Sequence, residues 1–333
     1  MQDLKTIDIH THIIPEHLPR WSAKFGYGGF IYLEHHKSGC ARMMQDDVFF
    51  REILANCWDP NIRIKECADF RCDMQVLSTI PVMFNYHIPS KDCMDISQFL
   101  NDHIAGVCRD FPDKFIGLGT IPMQDPDLAC LELQRCMTKL GMSGVQIGTN
   151  INDINLSEPE FYPFWQLAET LGASIFVHPW QMMGQKSMSK YWLPWLVGMP
   201  AESSRAISSL IFGGIFEKFP SLNFAFAHGG GSFPGTVGRL DHGHLMRPDL
   251  CAIDNEKAPS HYCGHFWVDS LVHDQLTLDF LLKMVGEEKI VLGTDYPFPL
   301  GENIPGELIH SMEWTEERKK RILWDNAMKW LGK

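Results

Sequence analysis

The chain has 333 residues, 45% of them hydrophobic, with 41 acidic against 29 basic side chains and a formal net charge of −12. So acidic a surface excludes phosphate backbones and anionic membranes as main partners. No apolar run approaches the roughly 20 residues of a bilayer span, a secretory leader has no room before the first strand, and the 10 cysteines form no Cys-x-x-Cys pair. A soluble, cytoplasmic protein with reduced thiols is the expectation.

The first predicted strand, 6–12, carries His10 and His12 two apart in a β-branched, apolar run. Strand side chains alternate with period two, so both imidazoles face the same way. Such a pair is half a metal site, or else two ordinary strand histidines satisfied by hydrogen bonds. An insertion at about 14–60 follows, with Phe-Gly-Tyr-Gly-Gly at 25–29, a His-His pair and a cluster of aromatics. Helix 62–71, strand 74–79, helix 97–110, strand 115–120, helix 127–140, strand 144–148 and helix 158–171 come next. Strand 174–178 ends in His178 and opens a second insertion at about 179–199, rich in Trp180, Trp192, Trp195 and methionine. Helix 200–218, strand 223–228, helix 231–244, strand 266–270, helix 275–285, strand 290–295 and helix 315–331 complete the chain.

Strands alternating with helices and no break in composition predict an α/β fold, a single (β/α)8 TIM barrel over 1–333 with insertions after strands one and five. A doubly wound open sheet is the competitor. Polar chemistry at strand exits favours the barrel, because barrels keep their sites at the C-terminal mouth. Strand five exits on His178, strand six on His228 and strand eight on Asp295, each after an apolar run and just before Gly, Pro or a turn. One such histidine is unremarkable. Histidines and an aspartate converging from several strands predict a catalytic metal site with His10, His12, His178 and Asp295 as ligands to one Zn²⁺. His228 is either a fifth ligand or the base that deprotonates a water on the metal. The glycines at 229–231 leave room for a substrate to approach the backbone. Strand four ends without a lysine, so a carbamylated-lysine bridge between two metals is not expected.

The His-x-His pair with the strand-five, strand-six and strand-eight residues resembles the amidohydrolase superfamily. Longer strings narrow the resemblance to its metal-dependent decarboxylases: Asn56-Cys-Trp-Asp-Pro60, Pro81-Val-Met-Phe84, Gly144-Val-Gln-Ile-Gly148, the run from Tyr191 to Glu202 and the run from Leu292 to Glu302. The resemblance implies non-oxidative decarboxylation with one zinc per subunit and no organic cofactor. It implies a short, flexible, unsaturated dicarboxylate with an aldehyde, from tryptophan and kynurenine breakdown, where it limits quinolinate formation. His228 would then activate water, with Asp295 as ligand and possible proton acceptor. Arg51 and Arg239 would hold the carboxylates, Arg239 reaching in from the second subunit of a homodimer. Trp192 and Phe298 would flank the substrate, with core packing as the alternative for both. For Arg239 the alternative is an ordinary surface ion pair with Asp241. Two departures stand out: Gln181 where the family has Asp after His-Pro-Trp, and Gln45, Asp46 and Asp47 where a lysine is expected. Alternatives within the same fold are a resorcylate-type aromatic acid decarboxylase and a zinc hydrolase or hydratase. A silent, metal-stabilised binding protein is the reading from a different class.

Overall fold

Short apolar runs, buried on both faces, become the eight parallel strands of one sheet in chain order. These are β1 (Ile7–Ile13), β2 (Met74–Thr79), β3 (Phe115–Gly119), β4 (Gly144–Gly148), β5 (Ser174–His178), β6 (Asn223–Phe226), β7 (Trp267–Asp269) and β8 (Ile290–Val291). The computed structural model describes residues 4–333, so the first three residues of the expected domain lie outside the described residues. Ile9 N–H donates to Leu292 O at 3.0 Å and His12 N–H to Tyr296 O at 2.8 Å, closing β8 against β1. The architecture is a (β/α)8 barrel, as the strand spacing predicts.

The helices α1 (Pro60–Asp69), α2 (Ser90–Asp110), α3 (Pro126–Thr138), α4 (Tyr162–Leu171), α5 (Met199–Phe212), α6 (Phe233–Met246) and α7 (Gln275–Val285) alternate with the strands. Their starts are encoded locally. Asp59, Asp125 and Asp274 accept backbone N–H bonds at the N-termini of α1, α3 and α7, and proline holds the first position of α1 and α3. The predicted helix 200–218 breaks at Gly213–Gly214, where Gly214 takes φ +68° and a Cβ would lie 2.9 Å from Asp254 O. The final segment closes the floor of the barrel. Trp330 is buried, its indole donates to Asn223 O, and its ring packs edge-on against Phe176. Phe176 in turn lies 4.9 Å beneath His10, so an aromatic column seals the site from below.

Four strands end earlier than predicted: β3 at Gly119, β6 at Phe226, β7 at Asp269 and β8 at Val291. Beyond the last residues of β6 and β8 the chain turns at His228 and Asp295, which adopt left-handed backbone (φ +57° and +58°). The insertion at 14–60 contains an unpredicted antiparallel sheet of Ile31–Lys37, Cys40–Gln45 and Val48–Leu54. The 179–199 insertion has a short helical turn at Gln185–Ser187 and ends in a π-helical segment, Pro194–Gly198, that runs directly into α5.

Candidate metal centre and pocket

The exits of β1 and β5 and the loop after β8 bring His10, His12, His178 and Asp295 together, with one ligand atom of each within 4.8 Å of the others. Every ligand histidine is fixed through Nδ1. His10 Nδ1 meets Asp269 Oδ2 at 2.7 Å, His12 Nδ1 meets Thr79 O at 3.0 Å and His178 Nδ1 meets Pro179 O at 3.0 Å. Their Nε2 atoms are buried without a hydrogen-bond partner and face one another across the mouth. His10 and His12 Nε2 lie 3.4 and 2.9 Å from Asp295 Oδ1. Three orphaned imidazole nitrogens around a carboxylate are what a divalent metal ion requires, so these residues fit one.

Protonation agrees. Burial lowers His12, and lowers His178 well below 6.5, so both are neutral donors. Burial opposes charge on Asp295, yet its contacts with His10 and His12 hold it well below the usual carboxylate range. His10 stands apart. Burial would lower it, but Asp269 and Asp295 outweigh that and push the metal-free imidazole up to about 10.

His228 stands beside this group rather than within it, its ring 5.2 Å from that of His10 and 5.1 Å from that of His178. Burial, reinforced by His10, lowers it to about 4, leaving a neutral base at neutral pH. The glycines after it are held to their size by packing, and Gly231 also lines a cavity together with His228 and Asp295. A Cβ on Gly229 would fall 2.5 Å from Val272 Cγ1, and one on Gly231 would fall 2.3 Å from Pro200 O. They are there because the turn has positive φ throughout and packs tightly against its neighbours.

Above the cage lies a cavity with His12, His178 and Asp295 on its floor and Trp192, Trp195 and Phe298 in its walls. Arg51, from the third strand of the insertion sheet, lines the cavity, its guanidinium 4.8 Å over Phe298. Burial lowers its pKa, with Asp295 acting the other way, and no carboxylate among the described residues pairs with it. A desolvated, unpaired guanidinium is a receptor for a carboxylate. Trp192 and Phe298 thus fall in the pocket, as the resemblance implies. Arg239 does not: it is exposed on α6, and Asp241 is engaged by Ser260 N–H instead. Asp46 and Asp47 form the turn after the strand that ends in Gln45; Gln45 and Asp46 bond to Gly29, and neither these three residues nor Gln181 line this cavity.

The sequence reading missed Asp269, although Phe266-Trp-Val-Asp269-Ser repeats the pattern of an apolar run ending in an ionisable group. It also missed Arg63, fully buried between strands and α1. Arg63 donates to His12 O at 2.6 Å and to Gln75 Oε1, and stacks 4.6 Å over the Tyr296 ring, bracing β1 beside Asp295. No sequence pattern marks that residue, since its partners are the His12 and Asn56 carbonyls, the Gln75 side chain and the distant Tyr296 ring.

The chain belongs to the amidohydrolase family, whose pattern matches residues 7–333. Within that class it is 54% identical over 327 residues to the 2-amino-3-carboxymuconate-6-semialdehyde decarboxylase of Dictyostelium discoideum, covering 98% of this chain and 91% of the relative. The Caenorhabditis elegans protein of the same name is 36% identical, over 98% and 94% of the two chains. Among solved structures, a dihydroxybenzoic acid decarboxylase from Polaromonas with bound manganese superimposes with a TM-score of 0.79 at 19% identity, covering 99% of this chain and 97% of the other; that likeness concerns the fold.

Proposed function

We propose that this protein decarboxylates 2-amino-3-carboxymuconate 6-semialdehyde to 2-aminomuconate 6-semialdehyde and CO2 without oxidation, using one zinc ion per subunit and no organic cofactor. This places it in the cytoplasm, in tryptophan and kynurenine degradation, where it limits quinolinate formation. The observation that carries the reading is full-length 54% identity joined to an intact cage of His10, His12, His178 and Asp295 with His228 beside it.

A divalent ion held by those four residues supplies, when bound, a water whose pKa falls to about 7. His228, neutral and buried, would act as the proton carrier, accepting a proton from water and delivering it to the carbon that keeps the bonding electrons when CO2 departs, with the hydroxide left behind reprotonated by solvent. Arg51 anchors a substrate carboxylate by charge-assisted bonds, and the aromatic walls exclude bulk water around the unsaturated chain. For a second carboxylate the reading assigns Arg239 of a second subunit in a homodimer. Two features support this: Arg239, exposed at the middle of α6, has no ion-pair partner among the described residues, and Leu245, Met246, Leu250 and Ile253 are exposed at and beyond the C-terminal end of that helix. The ten free cysteines are in keeping with a reducing compartment, and no helix among the described residues is long and apolar enough to cross a membrane.

One observation favours a second reading, decarboxylation of a resorcylate-type aromatic acid: the cavity of one chain is aromatic-walled and contains one arginine and no lysine. The test follows loss of the muconate semialdehyde, generated from 3-hydroxyanthranilate, against its spontaneous closure to quinolinate, with metal content measured in parallel. Fast loss with CO2 release and less quinolinate, abolished by a chelator and restored best by Zn²⁺ over Mn²⁺, supports the proposal. A rate equal to the spontaneous one with metal bound, alongside turnover of a dihydroxybenzoate, replaces it with the second reading.

A further inference from the structure

Strand β7 ends in a carboxylate that touches both halves of the site. Asp269 is fully buried; its Oδ2 meets His10 Nδ1 at 2.7 Å, and its Oδ1 accepts Gly229 N–H at 2.8 Å and Leu271 N–H at 3.2 Å. Gly293 makes room for the pair, since a Cβ there would fall 2.7 Å from Asp269 Cβ and 2.8 Å from His10 Cβ. His228 has no comparable anchor of its own, because its Nδ1 is buried without a hydrogen-bond partner. The aim of its ring is therefore set by the backbone, which has φ of +57°, +63°, +75° and +63° from His228 to Gly231. Within that turn, Gly230 and Gly231 N–H bond to Ala227 O and His228 O, and only Gly229 N–H reaches outside it, to Asp269.

We propose that Asp269 is a positioning residue that couples the two roles, setting the tautomer of the metal ligand His10 and the aim of the base His228 with one carboxylate. This rests on the reading of His10 as ligand and His228 as base. An ionised carboxylate accepts from both donors at once. It keeps a proton on His10 Nδ1, which leaves the Nε2 lone pair for the ion when that ligand is neutral. Asparagine has the same shape but two different ends. With its amide turned to His10, the imidazole proton moves to Nε2 and blocks the ligating lone pair. With its amide turned to Gly229, donor opposes donor and the His228 turn shifts. One substitution therefore disturbs ligand or base by a route that a packing role does not provide.

The experiment compares wild type, Asp269→Asn and Asp269→Glu. Zn²⁺ affinity is measured by competition with a chromophoric chelator, coordination by the visible spectrum of the Co²⁺-loaded protein, and kcat and KM at saturating metal. Asp269→Asn is expected to bind Zn²⁺ about 10–100-fold more weakly, with an altered Co²⁺ spectrum. Once saturated, it is expected to keep kcat at least about tenfold down with KM nearly unchanged, and Asp269→Glu is expected to recover part of both losses. In a His228→Ala background the added kcat loss disappears while the weakened metal binding persists. If the Asn variant does not fold, Gly293→Ala, which forces Asp269 and His10 apart, is read in the same way. Wild-type affinity and kcat in these variants overturn the proposal. So does an affinity loss whose kcat fully recovers at saturating metal, since that leaves Asp269 orienting His10 alone. A wild-type protein that binds metal but does not turn over the muconate semialdehyde instead overturns the proposed substrate, and the affinity and Co²⁺ measurements still stand.

Discussion

The metal cage and the pocket wall are built on opposite principles. In the cage each imidazole is buried and held at Nδ1 by a carboxylate or carbonyl, so that Nε2 has one direction to point. In the wall, Trp192 sits 41% exposed with left-handed backbone, on a segment tied down by Met183 N–H to the buried Glu202 carboxylate. Strand ends give the precision that ligation needs, whereas a loop of large side chains gives a surface that can follow its ligand. On the proposed function, the first region holds the chemistry and the second the specificity.

That division is broken most severely by His178→Ala, which is expected to abolish metal binding and turnover together, read by metal analysis of the purified protein. His228→Ala sharpens it. This variant is expected to keep stoichiometric metal while kcat falls about 10²–10⁴-fold; metal loss would make His228 a fifth ligand. Arg51→Ala, in the wall, is expected to raise KM about 10–100-fold, the cost of about 1.5–3 kcal/mol for a charge-assisted bond, with metal content unchanged. Arg239→Ala is expected to behave likewise, and mixing it with His228→Ala should restore activity in hybrid dimers. Normal substrate affinity and turnover in the Arg239 variant would sink the shared site.

The smallest effect comes from the frame, away from both regions. His103 in α2 has a buried Nε2 without a partner, and burial lowers it from 6.5 to about 4. Between those values the unfolded chain binds the proton that the folded one refuses. Stability present above pH 6.5 is therefore lost as pH falls toward 4. His103→Leu is expected to flatten that decline, seen in urea midpoints from pH 7 to 4.5; parallel slopes for both proteins would remove the assignment.

Much of the cage was legible because strands make it so. Apolar runs ending in His178, His228 and Asp295, and a pair spaced by two at His10 and His12, carry their geometry in local sequence. The antiparallel sheet that delivers Arg51 was not, although Ser38-Gly39 and Asp46-Asp47 are its two-residue turns. Its strands mix Glu, His, Arg and Lys with apolar residues because only one face packs, burying Ile31, Ala41, Met43 and Ile53, while the other is solvated.

By itself, then, the amino-acid order determined the barrel, the ligand types and their strand exits, because burial and period-two alternation act over a few residues. Tertiary structure alone decided that Asp269 grips both His10 and the His228 turn, that Arg63 braces His12 against Tyr296, and that Arg239 lies outside the pocket of its own chain. Those outcomes join residues as far apart as 10 and 269. Their cause is the closure of β8 onto β1, which no local pattern encodes.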